Sequence, residues 1–538
     1  MDRREFLEQS GAVVAGGLLA DLGIFEQAAG AVVRNDRRPN IILILVDEMR
    51  FPSVFPDSII TPAQFLAQYM PNLFYLWQHG VKFESYYSAG NACSPARATI
   101  ATGLYPHQQW LLATRTPGAS PSLQRGFPTY GRLLRRLGYQ TPYIGKWHLS
   151  NAPSKSTAGY LESYGFQGMT IPDPIGYNGE GTNKDGPVIG DAAVSWLEQN
   201  AHKAAPFCLT VSFVNPHDRQ FFWAGPEANT YYPLFENQSL KPFNPGPAYS
   251  EIPSEDNPKP LGFPTIPPNW EAYAELPAHG KPDTQQVFRS FQEAVWGGAP
   301  DDSSATTFTL QPSLVQPKTY GVGIAPYSYW QRGLDMYTLV QQMVDEQIGN
   351  VVAAIPRGVL ANTVVVFASD HGEYAGAHGL LAGKIGTAYE EAIHVPLVVT
   401  DFTHRFAKQV QKPRTQLASS VDLLPMLVTL GNGGSISWRR GELARIYGER
   451  LNLVELLSNP HAAGRDHILF AHRRDHPRRA QLPARADPCA GGSDQGSKAR
   501  DLHKMVLGHD APGPCVVAAR VLRLRHRPRP GRDAQPSG

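Results

Sequence analysis

The sequence predicts a three-layer α/β sandwich with a mostly parallel central sheet, and three observations carry that expectation. Short continuous apolar runs recur along the 538-residue chain. Each run ends abruptly in polar residues able to do chemistry. Segments with helical periodicity separate the runs. A strand buried on both faces of a parallel sheet has the first property. Alternating strands and helices imply the layers.

In order along the chain, Ile41–Val46 of "IILILVDEMR" is the first such run and stops at Asp47-Glu48. "YQTPYIGKWHLS" is a weaker strand leading to Lys146 and His148. "FCLTVSFVNPHD" leads to His217-Asp218, and Thr363–Phe367 of "TVVVFASDHG" leads to Asp370-His371. Open α/β sheets place their sites at the carboxyl ends of strands, so four strand ends deliver candidate residues. "TYGRLLRRLGY", "DAAVSWLEQNA" and "YWQRGLDMYTLVQQMVDEQIGNVVAAI" read as helices. Residues 218–320 are rich in Pro, Asn, Ser and Gly; they read as long loops that cover the site and shape substrate choice. No internal repeat is visible.

Composition narrows the function. Lys+Arg 49 against Asp+Glu 47 gives a net charge of +2, which offers no basis for nucleic-acid binding. The four cysteines are Cys93, Cys208, Cys489 and Cys515; none forms a C-x-x-C pair, which argues against a zinc knuckle. Cys208 lies in an apolar strand and reads as a small apolar residue.

The N-terminus, "MDRREFLEQSGAVVAGGLLADLGIFEQAAGA", resembles a twin-arginine export signal: Arg3-Arg4, one residue, then Phe6-Leu7, with Glu8 where lysine is usual. Residues 1–33 are assigned to this signal, with cleavage near Ala28–Ala31, export machinery as a partner, and a periplasmic or secreted location. The apolar stretch is Gly-rich and broken by Asp21, so a stable membrane span is not expected. Residues 34–434 are assigned to the main domain and 435–538 to a smaller C-terminal α+β subdomain. From 471 to 538 there is no Phe, Tyr or Trp, while arginine and proline accumulate. Residues 472–538 are therefore read as aberrant or disordered, through a shifted reading frame or as a basic tail that binds anions or a membrane surface.

The chemistry centres on "NACSPARATIATG". As a free thiol, Cys93 could be a nucleophile activated by Arg97 and a helix N-terminus. A thiolate phosphatase loop needs five residues and glycines between Cys and Arg; only Ser94-Pro95-Ala96 intervene. Cys-x-Pro-x-Arg followed by Thr102-Gly103 resembles instead the signature of the sulfatase family, within the alkaline phosphatase superfamily. The resemblance spans residues 38 to about 430, with motifs in the family's order. It implies an alkaline phosphatase-like fold and hydrolysis of sulfate monoesters to an alcohol and sulfate. It further implies that Cys93 is converted to formylglycine by a formylglycine-generating enzyme that requires Pro95 and Arg97, and that the aldehyde hydrate attacks sulfur.

The resemblance also assigns roles. Asp47, Glu48, Asp370 and His371, with the modified Cys93, would hold one divalent cation. Hard oxygen ligands favour calcium, with magnesium or manganese as alternatives. Glu48 departs from the aspartate more usual there. Arg97 would orient the diol; Lys146 and Lys384 would contact the sulfate; His148 would assist the diol chemistry; and His217 would stand near the leaving group. His378 of "AHGL" is expected outside the immediate site, supporting the loop of Lys384. Two rival readings are a phosphonate monoester or phosphodiester hydrolase of the same superfamily, and an inactive frame-shifted product. The kind of sulfate ester is not legible.

Overall fold

The computed structural model describes residues 38–471, except 116–120, 154, 156–158, 177–178, 222, 224, 237 and 244–258, together with the backbone of 520–522. The export-signal assignment and nearly all of the aberrant tail lie outside these residues.

The central sheet contains β1 (Asn40–Asp47), β2 (Val81–Phe83), β3 (Tyr143–Gly145), β4 (Cys208–Pro216), β5 (Thr363–Ser369) and β6 (Leu397–Asp401). Their spatial order is β2-β6-β5-β1-β4-β3. β1 is parallel to β5 and β4, and β4 to β3. β6 pairs antiparallel with both β5 and β2 and is the one reversed strand of this sheet. The expected mostly parallel sheet is present.

Side-chain alternation explains the layers. Ile42, Ile44 and Val46 face one core with Leu209, Val211, Val365 and Phe367. Ile41, Leu43 and Leu45 face the other with Val364, Val366 and Ala368. The first face is covered by α1 (Pro71–His79), α4 (Asp191–Asn200) and the long α6 (Tyr329–Ala353). The second is covered by α2 (Cys93–Thr102), α3 (Tyr130–Arg136) and α7 (Leu423–Gly431). The three helices expected from periodicity are α3, α4 and α6.

Residues 218–320 differ from the expectation of long loops. They carry α5 (Asp283–Trp296), and strands Lys241–Pro242, Thr309–Pro312 and Tyr320–Ile324 that form a small sheet. The buried positions of α5 are Gln285, Arg289, Gln292 and Val295. Its apolar residues Val287, Phe288, Phe291 and Val295 do recur at helical spacing, within a segment whose overall richness in Pro, Asn, Ser and Gly reads as loop.

Residues 435–471 contain short helices Glu442–Tyr447 and Leu453–Ser458 and the strand Ile468–Phe470, which pairs antiparallel with Arg520–Leu522. Tyr447, Leu453, Leu456 and Leu457 join the core beneath α7. This segment thus packs on the main body.

One buried carboxylate fixes α1 against α6. The N-cap of α1, Met70, offers no side-chain acceptor. Asp345 of α6 instead accepts from the Asn72 and Leu73 backbone N–H groups at 3.0 and 2.8 Å, and from Asn72 Nδ2 at 3.1 Å. Replacing Asp345 with Ala strands these donors in the interior. The expected cost is about 2–4 kcal/mol, measured as a lower urea midpoint at unchanged slope; Asp345→Asn, which keeps one acceptor, should lose less.

Candidate active site

Four parallel strands end side by side, and the polar residues that follow them converge. β1 delivers Asp47 and Glu48, β3 delivers Lys146 and His148, β4 delivers His217, and β5 delivers Asp370 and His371. α2 begins at Cys93 and enters from the second face. Lys384 arrives on a turn held by Glu373, whose Oε2 accepts the Gly383 N–H at 2.8 Å. Every one of these residues is buried.

The local backbone is shaped to make this convergence. Gly145 has φ +100°, and a Cβ there would lie 2.0 Å from the Ser212 carbonyl oxygen. Only glycine lets β3 approach β4 so closely before Lys146. Glu48 and His148 adopt left-handed conformations, φ 73° and 55°, which are costly for residues with a Cβ. Glu48 is held by its N–H on Asp370 Oδ1 at 3.2 Å, and by its carbonyl, which accepts the Tyr337 hydroxyl at 2.8 Å. His148 is held by its N–H on Asp173 Oδ2 at 2.8 Å and by its carbonyl, which accepts Ser94 Oγ at 2.8 Å. Asp173 Oδ1 also accepts the Trp147 N–H at 2.9 Å. Ser94 neighbours Cys93, so the His148 loop is registered directly to the start of α2.

At the centre, His371 Nε2 lies 3.3 Å from Cys93 Sγ and 3.3 Å from Asp47 Oδ1. Lys146 Nζ forms an ion pair with Asp47 Oδ2. Lys384 Nζ donates to Glu48 Oε2 at 2.8 Å, and His217 Nε2 lies 3.6 Å from the same oxygen. Arg97 reaches Asp370 Oδ2 at 2.8 Å and Asp47 Oδ2 at 3.6 Å, and donates to the Lys146 carbonyl and Ser212 Oγ at 2.9 and 2.8 Å. These contacts make Arg97 a brace between the two aspartates, and its charge also acts on Cys93. His378 lies apart: its Nδ1 is 2.6 Å from Glu271 Oε2, and its ring stacks on Tyr389 at 3.5 Å.

Burial and mutual charge set the electrostatics. Burial resists ionisation of Asp47, and so does Cys93, yet Lys146 and Arg97 hold its carboxyl well below the usual range. Burial raises Glu48 and Asp370, partly offset by Lys384 and by His371 and Arg97 respectively. Burial opposes charge on His371, but Asp370 and Cys93 raise it. Burial and the field of Lys384 and Lys146 push His217 down to about 3. Burial opposes the Cys93 thiolate, but Lys384, Lys146 and His371 bring the thiol well below its ordinary value. By contrast, burial pushes the Cys208 thiol up, in keeping with a small apolar residue.

The donor set fits a divalent cation. Asp47, Cys93 and His371 each present a ligand atom, all within 4.8 Å of one another. Asp47 Oδ1 and Glu48 Oε1 are buried and accept no hydrogen bond among the described residues. His371 Nδ1 lies 3.1 Å from the Gly372 carbonyl; with its proton held there, Nε2, 3.3 Å from Asp47 Oδ1, would be the nitrogen offered to a cation. Buried carboxylates gathered around an imidazole nitrogen favour positive charge.

Sequence reasoning missed Asp173, Ser212, Glu373 and Tyr337, which orient the converging residues without standing in a motif. Glu373 lies in the quoted "SDHGEYAGAHG" and could have been weighed by position alone; the others carried no signal.

This fold and site define a cluster of buried acidic and basic side chains at the carboxyl edge of an α/β sheet. The chain belongs to the sulfatase family: the family model Sulfatase matches residues 39–433. It is 25% identical over 396 residues to an N-acetylglucosamine-6-O-sulfatase of Bacteroides thetaiotaomicron, covering 72% of this chain and 66% of that protein. It is 23% identical over 441 residues to an arylsulfatase of Volvox carteri, covering 78% of this chain and 59% of that protein. The chain thus spans about three-fifths to two-thirds of the length of these curated relatives. Among solved structures it is similar to a 2-O GAG sulfatase, with TM-score 0.54, 20% identity, and 81% of this chain and 78% of that chain covered. That likeness shows the fold.

Asp173 offers a test of how the site is held. Asp173→Ala removes the acceptor for two backbone N–H groups and frees His148 from its left-handed conformation. On activated protein we expect kcat to fall on the order of tenfold or more with KM little changed, and Asp173→Asn to recover part of the loss. Equal and small losses in both variants would count against this role.

Proposed function

We propose that this chain hydrolyses sulfate monoesters at Cys93 after its conversion to formylglycine. The observation that carries the reading is the placement of Cys93. It opens a buried helix with His371 Nε2 3.3 Å away, and Lys146 and Lys384 are the largest favourable charges on its thiol. Two lysines about a helix N-terminus suit a tetrahedral anion, and the adjoining acids suit a cation.

Asp47, Glu48, Asp370 and His371, with residue 93, would hold a divalent ion, calcium being favoured by the carboxylate oxygens. When bound, such an ion supplies charge stabilisation for the nucleophilic oxygen and the sulfate oxygens. The hydrated aldehyde supplies the attacking hydroxyl. The chain's own residues do the rest. Lys146 and Lys384 orient the ester and offset the charge that develops on its oxygens. Arg97 keeps Asp47 and Asp370 in place beneath them. His217 is neutral near pH 7 in the free site, because burial, and then the charges of Lys384 and Lys146, oppose a proton. An ester anion seated between them reverses that field, so His217 takes up a proton and passes it to the departing alcohol oxygen. His148 stands beside the start of α2, its carbonyl accepting Ser94 Oγ, and accepts a proton when sulfate is released. Net, the ester S–O bond breaks, one water is consumed, and alcohol and sulfate leave.

No helix among the described residues is long and apolar enough to cross a membrane. With the twin-arginine resemblance at the N-terminus, this supports export to the periplasm or beyond, with the modifying enzyme acting as an earlier partner.

Three measurements test the reading. Mass spectrometry of the tryptic peptide containing residue 93, from protein co-produced with the modifying enzyme, should show formylglycine; a wholly unmodified thiol in protein from the native host refutes it. Cys93→Ala should lower sulfate release by on the order of a thousandfold. Removal of divalent ions with EGTA should abolish turnover and calcium should restore it; undiminished turnover by metal-free protein would remove the cation from the mechanism. A preference for a phenyl phosphonate ester over 4-nitrophenyl sulfate would assign the chain to phosphonate chemistry instead.

A further inference from the structure

Two sequence features that no motif explains meet in the structure. Arg219 follows His217-Asp218 directly, on the helical turn His217–Phe221. Gly333 stands inside the 25-residue α6, where glycine is less favourable than alanine. Arg219 is 2% exposed, and among the described residues it pairs with no carboxylate. Its guanidinium donates instead to two backbone carbonyls: Nε to Gly333 at 2.9 Å and Nη2 to Leu381 at 2.8 Å. A Cβ on residue 333 would lie 2.5 Å from that Nη2, so glycine is what lets the guanidinium reach the helix backbone.

Arg219 thereby ties three elements together. One is the turn that carries His217, and the second is α6. The third is the turn from Leu381 to Lys384, which Glu373 also holds through the Gly383 N–H. Within the His217 turn, Asp218 Oδ2 accepts the Thr182 N–H at 2.6 Å, so the turn is anchored to a further segment as well. A charged group buried against neutral carbonyls is retained at a cost. We propose that Arg219 is a positioning residue for proton transfer to the departing alcohol: it fixes the separation of His217 from Lys384 by clamping the two turns that carry them. This inference rests on the sulfate-ester reading above. Lys384 holds the ester, so a His217 that drifts from it loses reach of the ester oxygen. The loss depends on the leaving group. A weakly basic phenolate departs with little help from an acid, and a more basic one needs it.

The test measures kcat/KM, which covers S–O cleavage, for activated wild type, Gly333→Ala and Arg219→Met. The substrates are 4-nitrophenyl sulfate and 4-methylphenyl sulfate, which differ little in size but widely in leaving-group basicity. In Gly333→Ala the new methyl displaces the guanidinium while alanine favours the helix, so the thermal midpoint should not fall. We expect its kcat/KM to fall on the order of tenfold for the 4-methylphenyl ester and less than about threefold for the 4-nitrophenyl ester. Arg219→Met should show the same asymmetry. The double variant should be no worse than Arg219→Met, because both changes break one contact. Should Arg219→Met not fold, Gly333→Ala decides alone. Equal losses on the two esters, or unchanged rates, in folded Gly333→Ala overturn the positioning role and leave the reaction class intact. A wild type that releases sulfate from neither ester overturns the reaction class and this role with it.

Discussion

The structure depends on keeping several charges out of water at one edge of a sheet. Asp47 and Asp370 are fully buried, and isolated buried carboxylates would be prohibitively costly. Arg97 makes their burial tolerable, because it bridges both while sitting on a helix packed against the opposite layer. Lys146 and Lys384 complete the compensation from two further elements. Each charge is stabilised only when all these elements are docked, so the electrostatics of the site and the assembly of the sandwich are one constraint. This also explains why α2, a short helix of mostly small residues, is buried along its whole length. Its place is set by Arg97 and Cys93 more than by apolar area.

The strained residues follow from the same constraint. Glu48 and His148 sit one and three positions beyond strand ends, where the chain must turn sharply to keep their side chains over the sheet. Left-handed backbone costs of order 1–3 kcal/mol per residue and persists where other contacts determine it. Here those contacts are specific: Asp370 and Tyr337 for Glu48, Asp173 and Ser94 for His148. The orienting groups lie on different elements from the residues they hold, so the geometry is fixed by tertiary structure.

That division accounts for what could be read in the sequence. The strands β1, β4 and β5 were legible because burial on both faces demands unbroken apolar runs, and their polar ends were legible because the runs stop so abruptly. Cys93, Arg97 and the later lysine were legible through a local motif and its order along the chain. Asp173 and Ser212 were not, since a carboxylate or hydroxyl that accepts or shares a hydrogen bond with a distant loop leaves no periodic trace. Arg97 was found, but its place against the aspartates was not, because spacing alone does not reveal which side of a helix meets which strand end.

The 218–320 region shows the converse limit. Its composition reads as loop, yet it contains a helix whose inward positions include Gln285, Arg289 and Gln292. A helix that serves a hydrophobic core would carry leucines at those positions. Here Val287, Phe288 and Phe291 keep the helical spacing, but the loop-like composition around them masks it. Of α5, Trp296 packs partly buried against the first core, and Phe288 against a smaller cluster that includes Tyr87, Tyr374 and Ile393. The scaffold fixes the charged centre, while the inserted segment is free to vary what approaches it.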